Sequence, residues 1–225
     1  MSKTVWITRT QPSANESAKT FEQAGYKPVI APLLNVEPRA VGKTVPDNAV
    51  LVFTSQNGVQ AFCNSEMCRD LPVITVGDAT AALARELGFL NVRSAGGTSD
   101  DIAPLIADEP DKTAIYIHIS GTHIRGAVSE DLRARGFKAE RRIYYGSSTV
   151  QTLPDIDIDK IDVAVFFSPM AAETLARLAP ETAHMSALSI SAAADTALGA
   201  LVFKDRYIAK APTLESMIAA LNEAR

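Results

Sequence analysis

Hydroxyl side chains collect where predicted strands turn into helices: Thr54, Ser55, Thr80, Ser99, Ser168, Thr196 and Thr213. A strand that ends in small hydroxyl residues at a helix N-terminus offers an anion three things at once: side-chain donors, backbone N–H groups and the positive end of a helix dipole. Taken singly, each of these residues is first a helix cap. Their recurrence at matching corners of two similar stretches supports more than capping. Arg9 and Arg125 each follow a predicted strand end, and a guanidinium can hold a carboxylate through two parallel hydrogen bonds. For either arginine alone, a surface position is the plainer reading. Tyr144 and Tyr145 close another predicted strand. A tyrosine there usually packs, but a phenol can also pass a proton to a departing hydroxyl, weakly because its unperturbed pKa is about 10.

Other chemistries find no support. His118, His123 and His184 have no metal-ligand spacing, and His118 lies inside a predicted strand as a packed or edge histidine. Cys63 and Cys68 form a C-x4-C pair without a second pair and read as reduced thiols. No G-x-S-x-G, Walker loop or dinucleotide fingerprint occurs, and the turn Gly77-Asp78-Ala79-Thr80 is too poor in glycine for a nicotinamide cofactor. The first strand ends in Thr8-Arg9-Thr10 rather than the aspartate of a phospho-receiver domain. The expectation is therefore no metal, no cofactor and no nucleophile triad, and a reaction governed by binding and conformation.

The chain has 225 residues, 47% of them apolar, and a net charge of −4. That balance gives no global sign of a nucleic-acid or anionic-membrane partner. The opening MSKTVWITR runs straight into a strand, which is not the pattern of a signal peptide, and no apolar run reaches membrane-spanning length. A cytoplasmic monomer is expected. Strands are predicted near 4–8, 28–31, 50–53, 72–76, 91–93, 114–119, 139–145, 163–167, 188–191 and 207–209, with helices between them. Ser13 with Glu16 has capping-box spacing, Asp78 is placed as a cap, Ser99 or Asp101 caps the helix of Ile102, and Asp195-Thr196 opens the helix of Leu198. Regular strand-helix alternation predicts parallel sheets with helices on both faces.

Three pairs of segments repeat in order. TVWITRTQPSANESAKTFEQAGYKPVI pairs with AIYIHISGTHIRGAVSEDLRARGFKAERRI. VLVFTSQNGVQAF pairs with VAVFFSPMAAETL, and VITVGDATAALARELGFLNVRSAGGTSDDIAPLI with LSISAAADTALGALVFKDRYIAKAPTLESMIAAL. With the first pair as unit A and the other two as unit B, the chain reads A, B, A, B. The lobes form either sequentially or with the middle B and A together and the first A closing on the last B. Extended stretches near 32–39 and 145–152 favour the second arrangement. The expected first lobe is then 1–35 plus 152–225, and the second 36–151. Ligands bind such sheets beyond the C-terminal ends of their strands.

Taken in order, TRTQP, PLLNVEP, FTSQNGVQAF, VGDATAALARELG, the SG-x3-R turn from Ser120 to Arg125, RRIYYG, FFSPMAAETL and APTLESMIAAL resemble the uroporphyrinogen-III synthase family over nearly the whole length. The resemblance implies two flavodoxin-like lobes joined by a two-stranded connector. It also implies cyclisation of hydroxymethylbilane, a linear tetrapyrrole with eight carboxylates, with loss of water and inversion of ring D, and no cofactor. Transient contact with hydroxymethylbilane synthase is a further implied partner. By the same resemblance Tyr145 is the candidate for assisting hydroxyl departure, and Arg9, Ser55, Thr80, Gly121, Arg125, Ser168 and Thr196 are candidate substrate contacts; Thr54 and Ser99 join them as hydroxyls at the strand-to-helix corners. The chain departs from the family at Thr10, where proline is common, at Ala193, where glycine is usual, and at His118 and Ser120. A two-lobe binder of a small polyanion, with Tyr145 structural, is the competing reading.

Overall fold

The computed structural model describes residues 2–106, 113–124 and 126–223. The chain divides into two compact units, Met1–Asn35 with Ser148–Arg225, and Val36–Ser147.

The first unit holds β1 (Thr4–Ile7), α1 (Ser13–Gln23), β2 (Lys27–Ile30), β9 (Val163–Phe166), α6 (Pro169–Leu178), β10 (Ser186–Ser189), α7 (Ala192–Thr196), β11 (Arg206–Ile208) and α8 (Leu214–Asn222). Its five strands run in the order β11-β10-β9-β1-β2, and every recorded pair is parallel. Alternate strand residues face opposite ways, so each strand feeds two cores. Trp6, Ala164, Phe166 and Ala187 pack with Ala171, Ala172 and Leu175 of α6. Val5, Ile7, Val163, Val165 and Leu188 pack with Phe21 of α1 and Met217 and Leu221 of α8. Burial on both faces is why β1 and β9 read as unbroken apolar runs instead of alternating ones.

The second unit holds β4 (Ala49–Phe53), α2 (Gln56–Ser65), β5 (Val73–Thr75), α3 (Asp78–Glu86), β6 (Val92–Ser94), α4 (Ile102–Leu105), β7 (Ile115–Gly121), α5 (Val128–Ala134) and most of β8 (Lys138–Thr149). Its sheet has the order β3-β8-β7-β4-β5-β6, with β3 (Leu34–Pro38) at the edge. Leu51, Phe53, Ile117 and Ile119 meet Val59 and Phe62 of α2 and Ala84 of α3. Val52, Ile74 and Tyr116 meet Ile102 of α4 and Val128 and Leu132 of α5.

The internal repeat is visible as topology. Leaving out the edge strand β3, the order β6-β5-β4-β7-β8 matches β11-β10-β9-β1-β2 position for position. In each sheet the order reverses once, between β1 and β9 in one and between β4 and β7 in the other, which is where open α/β sheets receive ligands. The chain passes between the units inside β3 and β8. These strands are neighbours, with Arg39 N–H donating to the Tyr144 carbonyl at 2.8 Å and Val150 N–H to the Leu33 carbonyl at 3.1 Å.

Three expected caps differ in the structure. Ser13 lies inside α1, whose N-cap is Pro12 with no side-chain cap bond. Asp78 is the first residue of α3 rather than its cap, which is Gly77. Asp101 does stand at the N-cap of α4, but its carboxylate makes no cap bond; it turns back to accept from Thr98 N–H and Oγ1 at 2.6 and 2.9 Å.

Candidate active site

In the second unit the site is built where β4 ends. Val50 to Phe53 fill the sheet interior, and at Ser55 the backbone is extended (φ −157°, ψ 154°), so Ser55 Oγ accepts Gly58 N–H at 3.1 Å and caps α2. Gly58 lets α2 lie close to the sheet, since a Cβ there would come within 3.1 Å of the Ile119 carbonyl. The Tyr145 hydroxyl lies 2.9 Å from Ser55 Oγ. It reaches that point through an irregularity: β7 and β8 pair Ser120 with Ile143 but Gly121 with Tyr145, so β8 gains one residue there. Tyr144 turns into the core against Phe62, and its hydroxyl donates to Glu66 at 3.2 Å. Tyr145 lies over Gly121, where an added Cβ would stand 2.6 Å from its Cε2. Arg141 clamps this turn, donating from Nε to Ser120 Oγ at 2.8 Å and from Nη2 to the carbonyls of Gly121 and Thr122 at 2.7 and 2.9 Å.

A cavity of about 370 Å³ opens here, lined by Thr54, Ser55, Val76, Thr98, His123, Ile124 and Tyr145. Burial pushes the Tyr145 phenol above its usual pKa, and hydrogen bonding from Ser55 and the Gly121 backbone offsets part of that rise. Burial, and then the charge of Glu66, push Tyr144 up to about 12. Both rings are neutral phenols near neutral pH.

Of the residues expected from sequence, Thr54, Ser55, Gly121 and Tyr145 come together in this site. Thr80 is buried in the first turn of α3 and does not line the cavity. Ser99 opens a 3-10 turn, Ser99–Asp101, and its neighbour Thr98 lines the cavity. Arg125 lies outside the described residues. Thr98, His123 and Ile124 were not expected; Thr98 sits in the same polar GGTSD turn as Ser99, which was the signal available. His118, expected only to pack, has Nε2 3.2 Å from Thr54 Oγ1.

The first unit carries the corresponding corner. Ser168 caps α6 by accepting Ala171 N–H at 3.2 Å. Arg9, at the end of β1, stacks over the Phe167 ring at 4.6 Å and donates to Ser17 Oγ at 3.3 Å. Burial lowers its pKa, against the attraction of Glu16. The expectation that Asp195-Thr196 opens a helix is corrected: α7 begins at Ala192 with Ser191 as its cap, and Thr196 is the exposed last residue of that five-residue helix. Ser191 takes the extended cap conformation (φ −160°, ψ 161°) directly after the strand, so the helix starts before Asp195-Thr196 is reached. Among the described residues no group of three or more His, Cys, Asp and Glu side chains is placed to hold a metal. No helix among them is long and apolar enough to cross a membrane.

These features define an α/β protein of parallel, helix-covered sheets, with hydroxyl donors and a phenol gathered where one sheet reverses its strand order. The family model described as uroporphyrinogen-III synthase HemD matches residues 15–219, and the chain belongs to that family, the cyclising lyases of tetrapyrrole biosynthesis. No curated protein matches it. Among solved structures it is similar to the uroporphyrinogen-III synthetase of Helicobacter pylori 26695, at 20% identity over 100% of both chains with a TM-score of 0.64. It is also similar to a mutant uroporphyrinogen III synthase of the extremely thermophilic bacterium Thermus thermophilus, at 15% identity over 100% of this chain and 98% of that one, with a TM-score of 0.46.

Proposed function

We propose that this protein is a uroporphyrinogen-III synthase that closes hydroxymethylbilane with loss of water and inversion of ring D. The observation that carries the mechanism is the neutral Tyr145 phenol held 2.9 Å from Ser55 Oγ beside the cavity. Ser55 Oγ already accepts from Gly58 N–H. When Ser55 donates its own proton to the Tyr145 oxygen, the phenol proton is left for the terminal hydroxyl of the substrate.

As the hydroxymethyl C–O bond breaks, the oxygen takes that proton and leaves as water, and the pyrrole nitrogen supplies the electron pair that forms an azafulvene. The azafulvene forms as its N-protonated cation beside the Tyr145 phenolate; attack on this centre by the substituted carbon of ring D gives a spiro intermediate, which fragments and recloses inverted through ring D's free α-carbon, and the proton that this carbon loses restores the phenol. The substrate provides most of the driving force, so the protein's larger task is to hold the bilane in the conformation that leads to the spiro step. Thr54, Ser55 and Gly121 are proposed contacts in the second unit. Arg9 and Ser168 are proposed carboxylate contacts in the first unit, while Thr80, Arg125 and Thr196 rest on the family resemblance and Ser99 on its place at a predicted strand-to-helix corner. A cytoplasmic monomer, in transient contact with the synthase that makes hydroxymethylbilane, completes the proposal.

The test is a coupled assay. Porphobilinogen and a purified deaminase generate hydroxymethylbilane, this protein is added, and the oxidised porphyrins are separated by isomer. Predominantly type III product is expected. Type I product alone, matching the blank with folded protein present, would overturn the proposal and favour a polyanion-binding module.

A further inference from the structure

His118 sits on β7 with 1% of its surface exposed, between Val52 of β4 and Arg141 of β8 in register. It shares strand parity with Tyr116, which places it on the α4–α5 side of the sheet, the side of Val52 and Thr54. Its Nε2 lies 3.2 Å from Thr54 Oγ1. Its Nδ1 is buried and finds no hydrogen-bond partner among the described residues. Thr54 lines the cavity beside Ser55 and Tyr145.

Three protonation arrangements fit those positions. In the first, Nε2 carries the proton and donates to Thr54 Oγ1, leaving Nδ1 as an unused lone pair. In the second, Thr54 donates to a bare Nε2 and Nδ1–H is a buried donor with no acceptor. In the third the ring is doubly protonated, with that same orphan donor and a buried positive charge beside Arg141. An orphaned buried N–H is the costlier defect; an under-satisfied acceptor is better tolerated. The surroundings also resist the charge, since burial and then Arg141 lower the pKa to about 4, against the weaker attraction of Glu130 on α5. The first arrangement is therefore favoured.

A threonine hydroxyl has one proton to give and two lone pairs. If one lone pair receives Nε2–H, the hydroxyl proton is released from the protein's own network. We propose that His118 is a positioning residue that fixes Thr54 as a hydrogen-bond donor into the cavity, selecting a ligand acceptor oxygen there and disfavouring a donor group. The identity of that oxygen as a tetrapyrrole carboxylate rests on the proposed function; the tautomer does not. The residue is absent from any motif in the sequence, because its partner lies 64 positions away.

The test begins with the intact protein labelled with 15N at histidine. Long-range proton–nitrogen correlation near neutral pH, with His118 assigned by comparison with His118→Gln, reads which ring nitrogen carries the proton. Protonated Nε2 and bare Nδ1 are expected; an Nδ1–H tautomer or a doubly protonated ring would overturn the proposal. In the coupled assay, His118→Leu is expected to raise KM about tenfold, the loss of one hydrogen bond to a charged group, with kcat nearly unchanged. His118→Gln, whose amide N–H can replace Nε2–H, restores KM. Thr54→Val matches His118→Leu, and the double variant is no worse than either single one. Equal defects in the Leu and Gln variants, or additive effects of the two sites, would overturn the positioning role. A wild-type protein without synthase activity would sink the proposed function, and the nitrogen spectrum would still decide the tautomer.

Discussion

Tyr145 works as an acid only if its proton has somewhere to go and its ring is held still. Its pKa is raised by burial, so the phenol arrives protonated and gives up that proton reluctantly. Its contribution is then a modest one for a general acid. Tyr145→Phe is expected to lower kcat about 100-fold with KM little changed, read in the coupled assay; unaltered turnover would remove its chemical role. His118 has a separate signature in stability. Its folded-state pKa is about 4 against an ordinary 6.5. Below 6.5 the unfolded chain takes up a proton that the folded chain refuses, so stability falls as pH drops towards 4 and this contribution levels off below that. At roughly 1.4 kcal/mol per pH unit the loss is about 3 kcal/mol. Urea titrations across that range should show the slope in the wild type and lose it in His118→Leu. At this scale the sequence singled out Tyr145 as a candidate through the RRIYYG segment but said nothing about the bond between His118 and Thr54. AIYIHI reads only as a buried strand, and spacing along the chain carries no information about a partner on the neighbouring strand.

The turn after β7 and the extra residue in β8 act together. Gly121 leaves room for the Tyr145 ring, and a Cβ at 2.6 Å from Cε2 would have to push it aside. Gly121→Ala should therefore reproduce most of the kcat loss of Tyr145→Phe, at an overpacking cost of about 1–3 kcal/mol measurable by urea denaturation. The two matching serine caps separate structure from chemistry. Ser55→Ala and Ser168→Ala each remove one side-chain cap, costing about 1 kcal/mol, but only Ser55→Ala also removes the side-chain partner of the Tyr145 hydroxyl. Equal kcat in the two variants would count against a role for Ser55 in the reaction. Element types and the caps Ser55, Ser168 and Thr213 were legible because a hydroxyl directly follows an apolar strand or precedes a run of helix formers. The reading failed at Ser13, Asp78 and Thr196, where several capping residues compete within a few positions and the backbone entering the helix decides which is used. The displacement of Tyr145 by the β8 irregularity had no sequence signal, since a one-residue slip in pairing leaves the local pattern of apolar residues intact.

The repeat, the strand-helix alternation and the doubly buried strands were all legible in the sequence, because both faces of each sheet are covered and its apolar runs are long. Strand neighbours depend on pairings between distant residues, which composition does not encode. Val5 pairs with Val163 across most of the chain, whereas Val36–Ser147 is continuous. A fragment of residues 36–147 is expected to keep a cooperative urea transition by circular dichroism. A fragment of residues 1–147 should add no further structure to it, with Trp6, the sole tryptophan, emitting as in the unfolded chain; a buried emission would show that β1 and β2 fold without β9. The same nesting has a consequence during synthesis. At roughly 5–20 residues per second, the ribosome needs about 10–30 s between making β1 and making the strand that covers it. Through that interval the unpaired strand, with Trp6 at its centre, is a ready-made chaperone target, and the inner unit can finish folding before the outer one begins.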